Sequence, residues 1–424
     1  MPCPKRGGVK VSVDQKQEEP TLTRRRLLQA GGFGAALGMP IPFLSNLPAG
    51  MLPVAFAQSS DATLAQKPGL TLLSDRPLNM ETPPHLLNDA VTPGPRMFVR
   101  NNGLPPSLTA SDIKNWRLTI DGEVSTPLEF SIEDLRREFE VVTLRLQIEC
   151  AGNGRRFVKP GARGNQWSFG AMSCAEWTGV RLRDVLARAG LNDNAIYSAH
   201  YGADTHLSGK PEKYPLSRGL PIAKAIEPHT IIAFSMNGGN MPDLNGHPLR
   251  LVASGWPGSC SQKWLNRIEI RDCVHDGAKM TGQSYRVPAY PVAPGTSVPD
   301  EDMEIIQSMP VKSLITAPQT GARIAANDGI QVQGHAWAGD NAVEDVDVSI
   351  DFGGSWQRAR LGRPHNRFAW QQWSADIAFP QTGYYEIWAR ATDDIGRAQP
   401  ATTPGWNPRG YLNNMQHRIA VFAL

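Results

Sequence analysis

The sequence has few cysteines, and none of them belongs to a paired motif. The 424 residues include five cysteines, with neither a C-x-x-C pair nor a C-x-x-C-H segment. The first absence argues against a dithiol redox centre, and the second argues against haem attached covalently to this chain. Five unevenly spaced cysteines are also too few for a fold built on disulfides. A bond between Cys260 and Cys273, which flank a short predicted strand, stays open.

Long apolar runs and a surplus of one charge are lacking as well. No stretch approaches the roughly 20 apolar residues that a membrane-spanning helix needs, and the formal net charge is only +3. The first 57 residues hold seven Lys and Arg against three Asp and Glu, so their removal changes the charge to −1. The remaining chain therefore has no basic excess that would indicate binding to nucleic acid or anionic lipid.

The N-terminal region has the pattern of an export signal. Three arginines at 24–26 precede a short apolar stretch rich in glycine and alanine, and Ala55-Phe56-Ala57 offers the small residues of a signal peptidase site. Prolines interrupt the region too often for an anchoring helix. Residues 1–57 are therefore predicted to be a twin-arginine signal peptide, which would place the mature protein in the periplasm. This route exports folded proteins, often after a cofactor has been inserted.

Periodicity divides the rest of the chain into four segments. Residues 58–96 are rich in proline and threonine and predict an extended arm. Residues 97–298 mix strand and helix patterns, as α+β domains do. Residues 299–310 predict a linker. Residues 311–424 contain runs of period two between Gly, Asp and Asn turns, which predicts an immunoglobulin-like β-sandwich.

Two helices are predicted inside the α+β segment. Ser131 with Asp134 three residues later forms a capping-box pattern, so a helix should begin after Ser131. Residues 177–189 have helical spacing and are followed by Gly190, a residue type that commonly ends helices.

Cys150 stands where a predicted strand breaks into a glycine loop. A thiolate is a soft ligand that suits a redox-active metal, and the following arginines would favour its ionised form. Gly152 and Gly154 allow the backbone to approach a bulky group. The alternative is an inert cysteine at a strand end. Cations and amides near other predicted strand ends suit an anionic cofactor or substrate, namely Arg100, Asn101, Asn102, Asn245, Arg250, Gln262 and Lys263.

These segments resemble the sulfite oxidase family of molybdopterin enzymes. The resemblance rests on CAGNGRR at 150–156, FVRNN at 98–102, WNPRG at 406–410 and HR at 417–418, and it extends from about residue 97 to the C-terminus. The glycine after the asparagine of CAGN is most similar to the molybdenum subunits of bacterial Sox sulfur-oxidising systems. The resemblance implies an α+β molybdopterin-binding domain with the sulfite oxidase fold, followed by an immunoglobulin-like dimerisation domain.

The resemblance also implies roles for individual residues. Cys150 would be the one protein ligand to molybdenum, beside the dithiolene of the pterin. The oxyanion pocket would consist of Arg100, Arg155, Trp167, Tyr285 and Arg409, with Arg163 at its rim. The pterin and its phosphate would be held by Phe98, Arg100, Asn101, Asn102, Asp204, Asn245, Arg250, Ser261, Gln262 and Lys263.

The chain departs from the family pattern in two respects. Vertebrate members have histidine where Asn102 and Asn245 stand, so contacts to the pterin should differ there. Gly154 is an additional residue in the cysteine segment, so Arg155 and Arg156 compete for the place in the pocket.

The implied activity is that of a periplasmic sulfane or sulfite dehydrogenase with molybdenum-molybdopterin as cofactor and water as oxygen source. Because the chain has no haem or flavin motif, a separate c-type cytochrome subunit would accept the electrons. A sulfur-carrier protein of the Sox system would present the substrate, and the chain would form a homodimer within a heterotetramer. The alternatives are a free-sulfite dehydrogenase, a methionine sulfoxide reductase, against which the sandwich counts, and an exported binding protein without a cofactor.

Overall fold

The chain folds into a strand-rich α+β domain followed by a two-sheet sandwich. The computed structural model describes residues 65–325 and 329–424. The predicted signal peptide, residues 1–57, lies outside these described residues. Within them, no helix combines the length and the apolar character that crossing a bilayer requires.

The first domain is built from short strands with few helical turns between them. Its α-helices are α1 (Ala110–Lys114), α2 (Ile132–Glu138), α3 (Leu182–Ala189) and α4 (Ile222–Ala225). Its strands are β1 (Thr71–Asp75), β2 (Leu78–Glu81), β3 (Val99–Arg100), β4 (Leu118–Gly122), β5 (Leu128–Phe130), β6 (Val141–Glu149), β7 (Met172–Arg181), β8 (Tyr197–Gly202), β9 (Gly219–Pro221), β10 (Ile231–Met236), β11 (Gly239–Asn240), β12 (Arg250–Val252), β13 (Leu265–Arg271), β14 (Arg286–Pro288) and β15 (Met303–Ile305).

Two sheets and the helices enclose the core of this domain. One sheet has the order β11-β10-β7-β6, with β12 paired to β10, and the other has the order β5-β4-β13-β8-β9. Leu135 of α2 and Leu186 of α3 pack in one buried cluster with Ile120 and Ile268 of the second sheet. The same cluster includes Leu251 of β12.

One helix prediction is confirmed and the other is wrong over its first part. The amide of Asp134 donates to the Ser131 hydroxyl and the amide of Ser131 donates to the Asp134 carboxylate, both at 3.0 Å, so α2 begins as predicted. Residues 177–181 belong to β7, and only Leu182–Ala189 is helical. β7 lies between β6 and β10, and pairing on both sides overrides a helical spacing.

The segment predicted as an extended arm contains a hairpin. β1 pairs with β2, and β2 pairs with β3 of the α+β segment. All four residues of β2 are buried, so its sequence lacks the alternation that marks a strand with one exposed face. The predicted linker at 299–310 likewise contains β15, which pairs with β14.

The C-terminal domain is the predicted sandwich, and its fold class is confirmed. Val332, Val346, Trp373, Ile387 and Val421 fill the space between its two sheets. The sheet orders are β16-β18-β22-β21 and β17-β24-β23-β19-β20. The strands are β16 (Lys312–Ala317), β17 (Ala322–Ile324), β18 (Ile330–Trp337), β19 (Val343–Ser349), β20 (Gln357–Arg358), β21 (Arg360–Leu361), β22 (Gln371–Ile377), β23 (Gly383–Asp393) and β24 (His417–Ala423).

Candidate active site

Cys150 follows directly on the last residue of β6 and lies in the wall of a cavity. Its amide donates to the carbonyl of Ala171 at 2.9 Å, and its own carbonyl accepts from the amide of Asn153 at 2.9 Å. These bonds end the strand in a tight turn. The thiol is free and buried, and Met97, Ile148 and Lys263 also line the cavity beside it.

This cofactor cavity collects most of the residues predicted to hold a pterin. Of that predicted set, Asn101 alone is not part of its wall. Asn101 is fully buried behind it, and its Oδ1 accepts from the ammonium of Lys263. Tyr285 also reaches this wall. The predicted residues that line it are Phe98, Arg100, Asn102, Cys150, Asp204, Asn245, Arg250, Ser261, Gln262 and Lys263.

Two buried cations, Arg250 and Lys263, line the cofactor cavity, and a third, Lys67, lies behind Asn245 in its wall. Lys67, 3 % exposed, donates to Oδ1 of Asn245 at 3.0 Å, and Arg250 donates to the carbonyl of Asn245 at 2.6 Å. Burial lowers the pKa of Lys67 to about 8 and that of Arg250 to about 9. Burial, together with the charge of Arg250, lowers the pKa of Lys263 well below its usual value. A bound anion would favour the charged forms of these groups.

Four polar atoms of the site are buried without a partner in the described part of the chain. They are Oδ1 of Asp204, Oγ of Ser259, Oε1 of Gln262 and Nδ2 of Asn101. Burial raises the pKa of Asp204 to about 6. Buried polar atoms of this kind normally have partners, so the site is built for a polar ligand. A pterin ring offers matching donors and acceptors, and its phosphate suits the cations. The residues present therefore fit molybdopterin.

A second cavity adjoins the first and shares Arg100, Asn102 and Tyr285 with it. We call it the oxyanion cavity because five cationic side chains line it, while no carboxylate of the described residues does. Guanidinium groups bind oxyanions through paired N–H donors. The cations are Arg100, Arg155, Arg163, Lys279 and Arg409.

Arg155, and not Arg156, faces the oxyanion cavity. Arg155 is 6 % exposed, whereas Arg156 points to solvent. Nε of Arg155 donates to the carbonyl of Arg409 at 2.6 Å, and Nη1 donates to the carbonyl of Asn165 at 2.8 Å. Gly152 makes room for this side chain, since a Cβ there would lie 2.3 Å from Nη2 of Arg155. The sequence left open whether Arg155 or Arg156 lies in the pocket, and in the structure it is the buried Arg155 that lines the cavity.

The remaining predicted pocket residues divide into two groups. Arg163, Tyr285 and Arg409 line the oxyanion cavity, and Nε of Arg409 is buried without a partner in the described residues. Trp167 lines neither cavity. It is fully buried and packs edge-on against Phe98, with ring centroids 6.4 Å apart. Trp167, which was expected to form a wall of the pocket, therefore lies behind Phe98 and supports it.

Sequence reasoning missed several residues of the two cavities. Lys67 lies in the segment predicted as an arm, and an isolated lysine there has no pattern that would reveal it. Asn79 of β2 and Lys279 line the oxyanion cavity. Tyr411 lines it as well, and its position directly after WNPRG is the one sequence signal that could have found it. Burial, ahead of the charge of nearby Tyr285, raises the pKa of Tyr411 to about 12.

The sandwich holds the residue that precedes Cys150. Glu149 is 1 % exposed, and its carboxylate pairs with the ammonium of Lys312 from β16. The same carboxylate accepts from Nε1 of Trp337 at 2.8 Å and from Nδ2 of Asn153 at 3.0 Å. We refer to these four residues as the Glu149 clamp. It joins both domains at the point where the loop that contains Cys150 begins.

The fold and the paired cavities define a cofactor-binding domain whose site is completed by a β-sandwich. Comparison with known families agrees with this description. Residues 105–279 match the oxidoreductase molybdopterin binding domain, and residues 303–423 match the Mo-co oxidoreductase dimerisation domain. The chain belongs to the sulfite oxidase family, as the resemblance predicted.

The relatives include animal enzymes and a bacterial complex. The chain is 34% identical over 371 residues to mitochondrial sulfite oxidase of Macaca fascicularis, covering 84% of this chain and 66% of the relative, so it spans about two thirds of that protein. It is 32% identical to sulfite oxidase of Gallus gallus, covering 83% and 77%. The crystal structure of the sulfane dehydrogenase SoxCD from Paracoccus pantotrophus matches with a TM-score of 0.66 and 26% identity, covering 90% of this chain and 96% of that one.

Proposed function

We propose that this protein is a periplasmic molybdenum-dependent sulfane or sulfite dehydrogenase. It would oxidise reduced sulfur with oxygen from water and pass the electrons to a c-type cytochrome. The observation that carries the proposal is the junction of the two cavities, where the thiol of Cys150 and the guanidinium of Arg100 lie in the wall of one cavity and Arg100 also enters the other. The match to SoxCD over 90% of the chain supports the hypothesis of a sulfane dehydrogenase.

Each group of residues has a distinct task in this proposal. Bound molybdopterin would supply oxygen-atom transfer and temporary storage of electrons. Cys150 would be the protein ligand of its metal, and the cations around Asn245 would hold the phosphate. Arg155 and Arg409 would orient the oxyanion so that its sulfur atom points toward the first cavity. Because the carbonyls of Arg409 and Asn165 already fix the guanidinium group of Arg155, little of its side-chain freedom is lost when the anion binds.

The substrate is proposed to be sulfane sulfur on a cysteine of a carrier protein, as the bacterial match suggests. The second candidate is free sulfite, which the identity of 34% to mitochondrial sulfite oxidase favours. Turnover with a persulfidated carrier peptide and turnover with free sulfite separate the two. A higher kcat/KM for the carrier peptide would support the first candidate, and the reverse would support the second.

The partners follow from the same comparisons. The match of residues 303–423 to a dimerisation domain supports a homodimer, and the SoxCD match supports a complex with a second kind of subunit. We propose a c-type cytochrome for that subunit, because electrons must leave the site one at a time. Reduction of a purified cytochrome c by the protein and sulfite, followed by absorbance, tests this step. Absence of reduction with several cytochromes, while an artificial acceptor works, would contradict it.

The cofactor assignment can be tested by metal analysis. The chain should contain about one molybdenum atom when it is produced in a host that makes molybdopterin, since the site has a single candidate thiolate. Cys150→Ser should lose the metal. Cys174→Ala is the matched control, because Cys174 is fully buried in β7 and lines neither cavity. A Cys150→Ser protein with full metal content would refute the ligand assignment, and a metal-free wild type would favour the binding-protein alternative.

Export by the twin-arginine route is proposed on sequence grounds, from the arginines at 24–26 and the small residues at 55–57. Replacing Arg24 and Arg25 by lysine should leave the protein in the cytoplasm, as shown by cell fractionation. Replacing Lys5 and Lys10 by arginine is the control for a change of basic residue type outside the motif. Unchanged export of the first variant would contradict the proposal.

A further inference from the structure

Four side chains form a column beside the junction of the two cavities. The rings of Tyr285 and Tyr411 stack with their centroids 5.4 Å apart and their planes at 12°. The guanidinium carbon of Arg155 lies 5.1 Å from the centroid of the Tyr411 ring. On the other side, the guanidinium carbon of Arg218 lies 5.0 Å from the centroid of the Tyr285 ring. The column therefore runs cation, ring, ring, cation.

Arg218 is the unexpected member of this column. It is completely buried, and none of the carboxylates in residues 65–325 and 329–424 lies within ion-pair distance of it. Nη1 donates to the carbonyl of Lys279 at 3.2 Å, Nη2 lies 3.9 Å from the sulfur of Cys260, and Nε has no partner among the residues that the structure describes. A buried cation with so few acceptors is costly. The face of the Tyr285 ring is the electron-rich surface that compensates for part of this cost.

Tyr285 needs support because its backbone is in an unfavourable conformation. Its φ is 53°, in the left-handed region that tyrosine rarely occupies. Its carbonyl accepts from the amide of Ile306 at 3.1 Å, which fixes the backbone but not the ring. The ring is held on one face by Arg218 and on the other by Tyr411.

Tyr411 is itself held firmly in place. Its amide donates to Oδ1 of Asn407 at 2.9 Å, and its carbonyl accepts from Nδ2 of the same residue at 2.9 Å. The next residue, Leu412, donates its amide to the carbonyl of Ala151 at 3.0 Å. The Tyr411 ring is therefore anchored to the C-terminal segment and, through Leu412, to the loop of Cys150.

We propose that Arg218 and Tyr411 are positioning residues for Tyr285. Together they fix the plane of the Tyr285 ring at the place where the cofactor cavity meets the oxyanion cavity. Tyr285 and Tyr411 both line the oxyanion cavity, and Tyr285 also lines the cofactor cavity. In this arrangement, the orientation of the Tyr285 ring depends on the packing of the C-terminal segment, which carries Tyr411.

Ring position can be measured without any enzymatic activity. The chain has eight tyrosines, so the whole protein labelled with 3-fluorotyrosine gives a fluorine NMR spectrum in which Tyr285→Phe identifies the Tyr285 signal. Tyr411→Leu and Arg218→Met should shift or broaden that signal, because each removes a contact on one ring face. Tyr411→Phe should change it much less, since the stacked ring remains. Tyr384→Leu, an exposed tyrosine of β23, is the control.

The outcomes decide between the proposal and ordinary packing. An unchanged Tyr285 signal in both Tyr411→Leu and Arg218→Met would overturn the proposal. If Arg218→Met fails to fold, Tyr411→Leu alone decides, and Arg218→Lys, which keeps the charge but not the planar group, gives the second measurement. A shift in Tyr384→Leu as large as that in Tyr411→Leu would also overturn it, because the response would then be global.

Steady-state kinetics provide a second test, which rests on the proposed function and is interpreted separately from the NMR spectra. A displaced Tyr285 should lower kcat for sulfur oxidation by roughly tenfold to a hundredfold in Tyr411→Leu, with a smaller loss in Tyr411→Phe. KM should change less than kcat in Arg218→Met, because Arg218 does not line the oxyanion cavity. An inactive wild type with intact NMR responses would refute the proposed activity alone. Equal kcat losses in Tyr411→Phe and Tyr411→Leu would refute the role of the stacked ring.

Discussion

The Glu149 clamp yields the most quantitative prediction, because it places a buried ion pair next to Cys150. Removal of the cation by Lys312→Met leaves the carboxylate of Glu149, which is 1 % exposed, without its charge partner. Breaking a buried pair from one side typically costs about 3–5 kcal/mol in the free energy of unfolding. The two N–H donors that remain, from Trp337 and Asn153, still stabilise the charge. We therefore expect a cost near the lower end, about 3 kcal/mol.

The double variant Glu149→Gln/Lys312→Met should be less destabilised than Lys312→Met. It removes the buried charge, and the amide can still accept a hydrogen bond from Trp337, so the expected cost is about 1–2 kcal/mol. The assay is urea denaturation followed by tryptophan fluorescence. Arg360→Met is the matched control, because Arg360 and Asp376 form an ion pair with side chains 62% and 61% exposed. Such a pair contributes at most about 1 kcal/mol.

Two results would refute this reasoning. The first is a Lys312→Met protein that is no less stable than Arg360→Met, since the carboxylate of Glu149 would then not depend on its partner. The second is a double variant that is as unstable as Lys312→Met, since the loss would then reflect packing of the lysine stem and not an uncompensated charge. In the cofactor-free protein, the rate at which Cys150 reacts with a thiol reagent should also rise in Lys312→Met, because the clamp fixes the start of its loop.

Two further predictions concern the cavities. Arg409→Lys keeps a positive charge but loses the planar guanidinium group, so KM for the oxyanion should rise roughly tenfold while kcat changes less. The measurement is steady-state kinetics. The control is Arg156→Lys, which changes an exposed arginine. Burial lowers the pKa of Lys67 from 10.5 to about 8 in the folded, cofactor-free protein, so between pH 8 and pH 10.5 the unfolded chain binds more protons than the folded one. The free energy of unfolding should therefore rise with pH through that window, by up to about 3 kcal/mol. This rise should vanish in Lys67→Met when the melting temperature is followed against pH.

Local chemistry allowed some elements to be predicted from sequence, and tertiary pairing hid the others. The start of α2 was predictable because Ser131 and Asp134 satisfy each other within one turn. Strand β18 was predictable because its residues alternate between the sandwich core and the opposite face. Residues 177–181 were not, because their strand pairing depends on β6 and β10, which are distant in sequence. β2, buried on both faces, has no alternation to detect.

The candidate site shows the same division. Motif similarity identified the segments around residues 100, 150, 250 and 409, and the structure brings them to two adjoining cavities. Motifs could not show that Trp167 stands behind Phe98, since burial depth depends on the whole core. They also could not find Lys67, which lies outside the motif segments and donates to Asn245 of the cavity wall. Residues that act through long-range contacts leave no local pattern.

The additional glycine of the cysteine segment can now be explained by the docking of the C-terminal segment. Gly154 has a φ of +86°, a conformation that favours glycine, and a Cβ there would lie 2.8 Å from Nδ2 of Asn413. Its carbonyl accepts from that same amide at 2.7 Å. Three residues earlier, the carbonyl of Ala151 accepts from the amide of Leu412. The loop after Cys150 is thus shaped by the sandwich domain as well as by the cavity that it lines, and Gly154 leaves room for Asn413 where the two domains meet, one residue before Arg155.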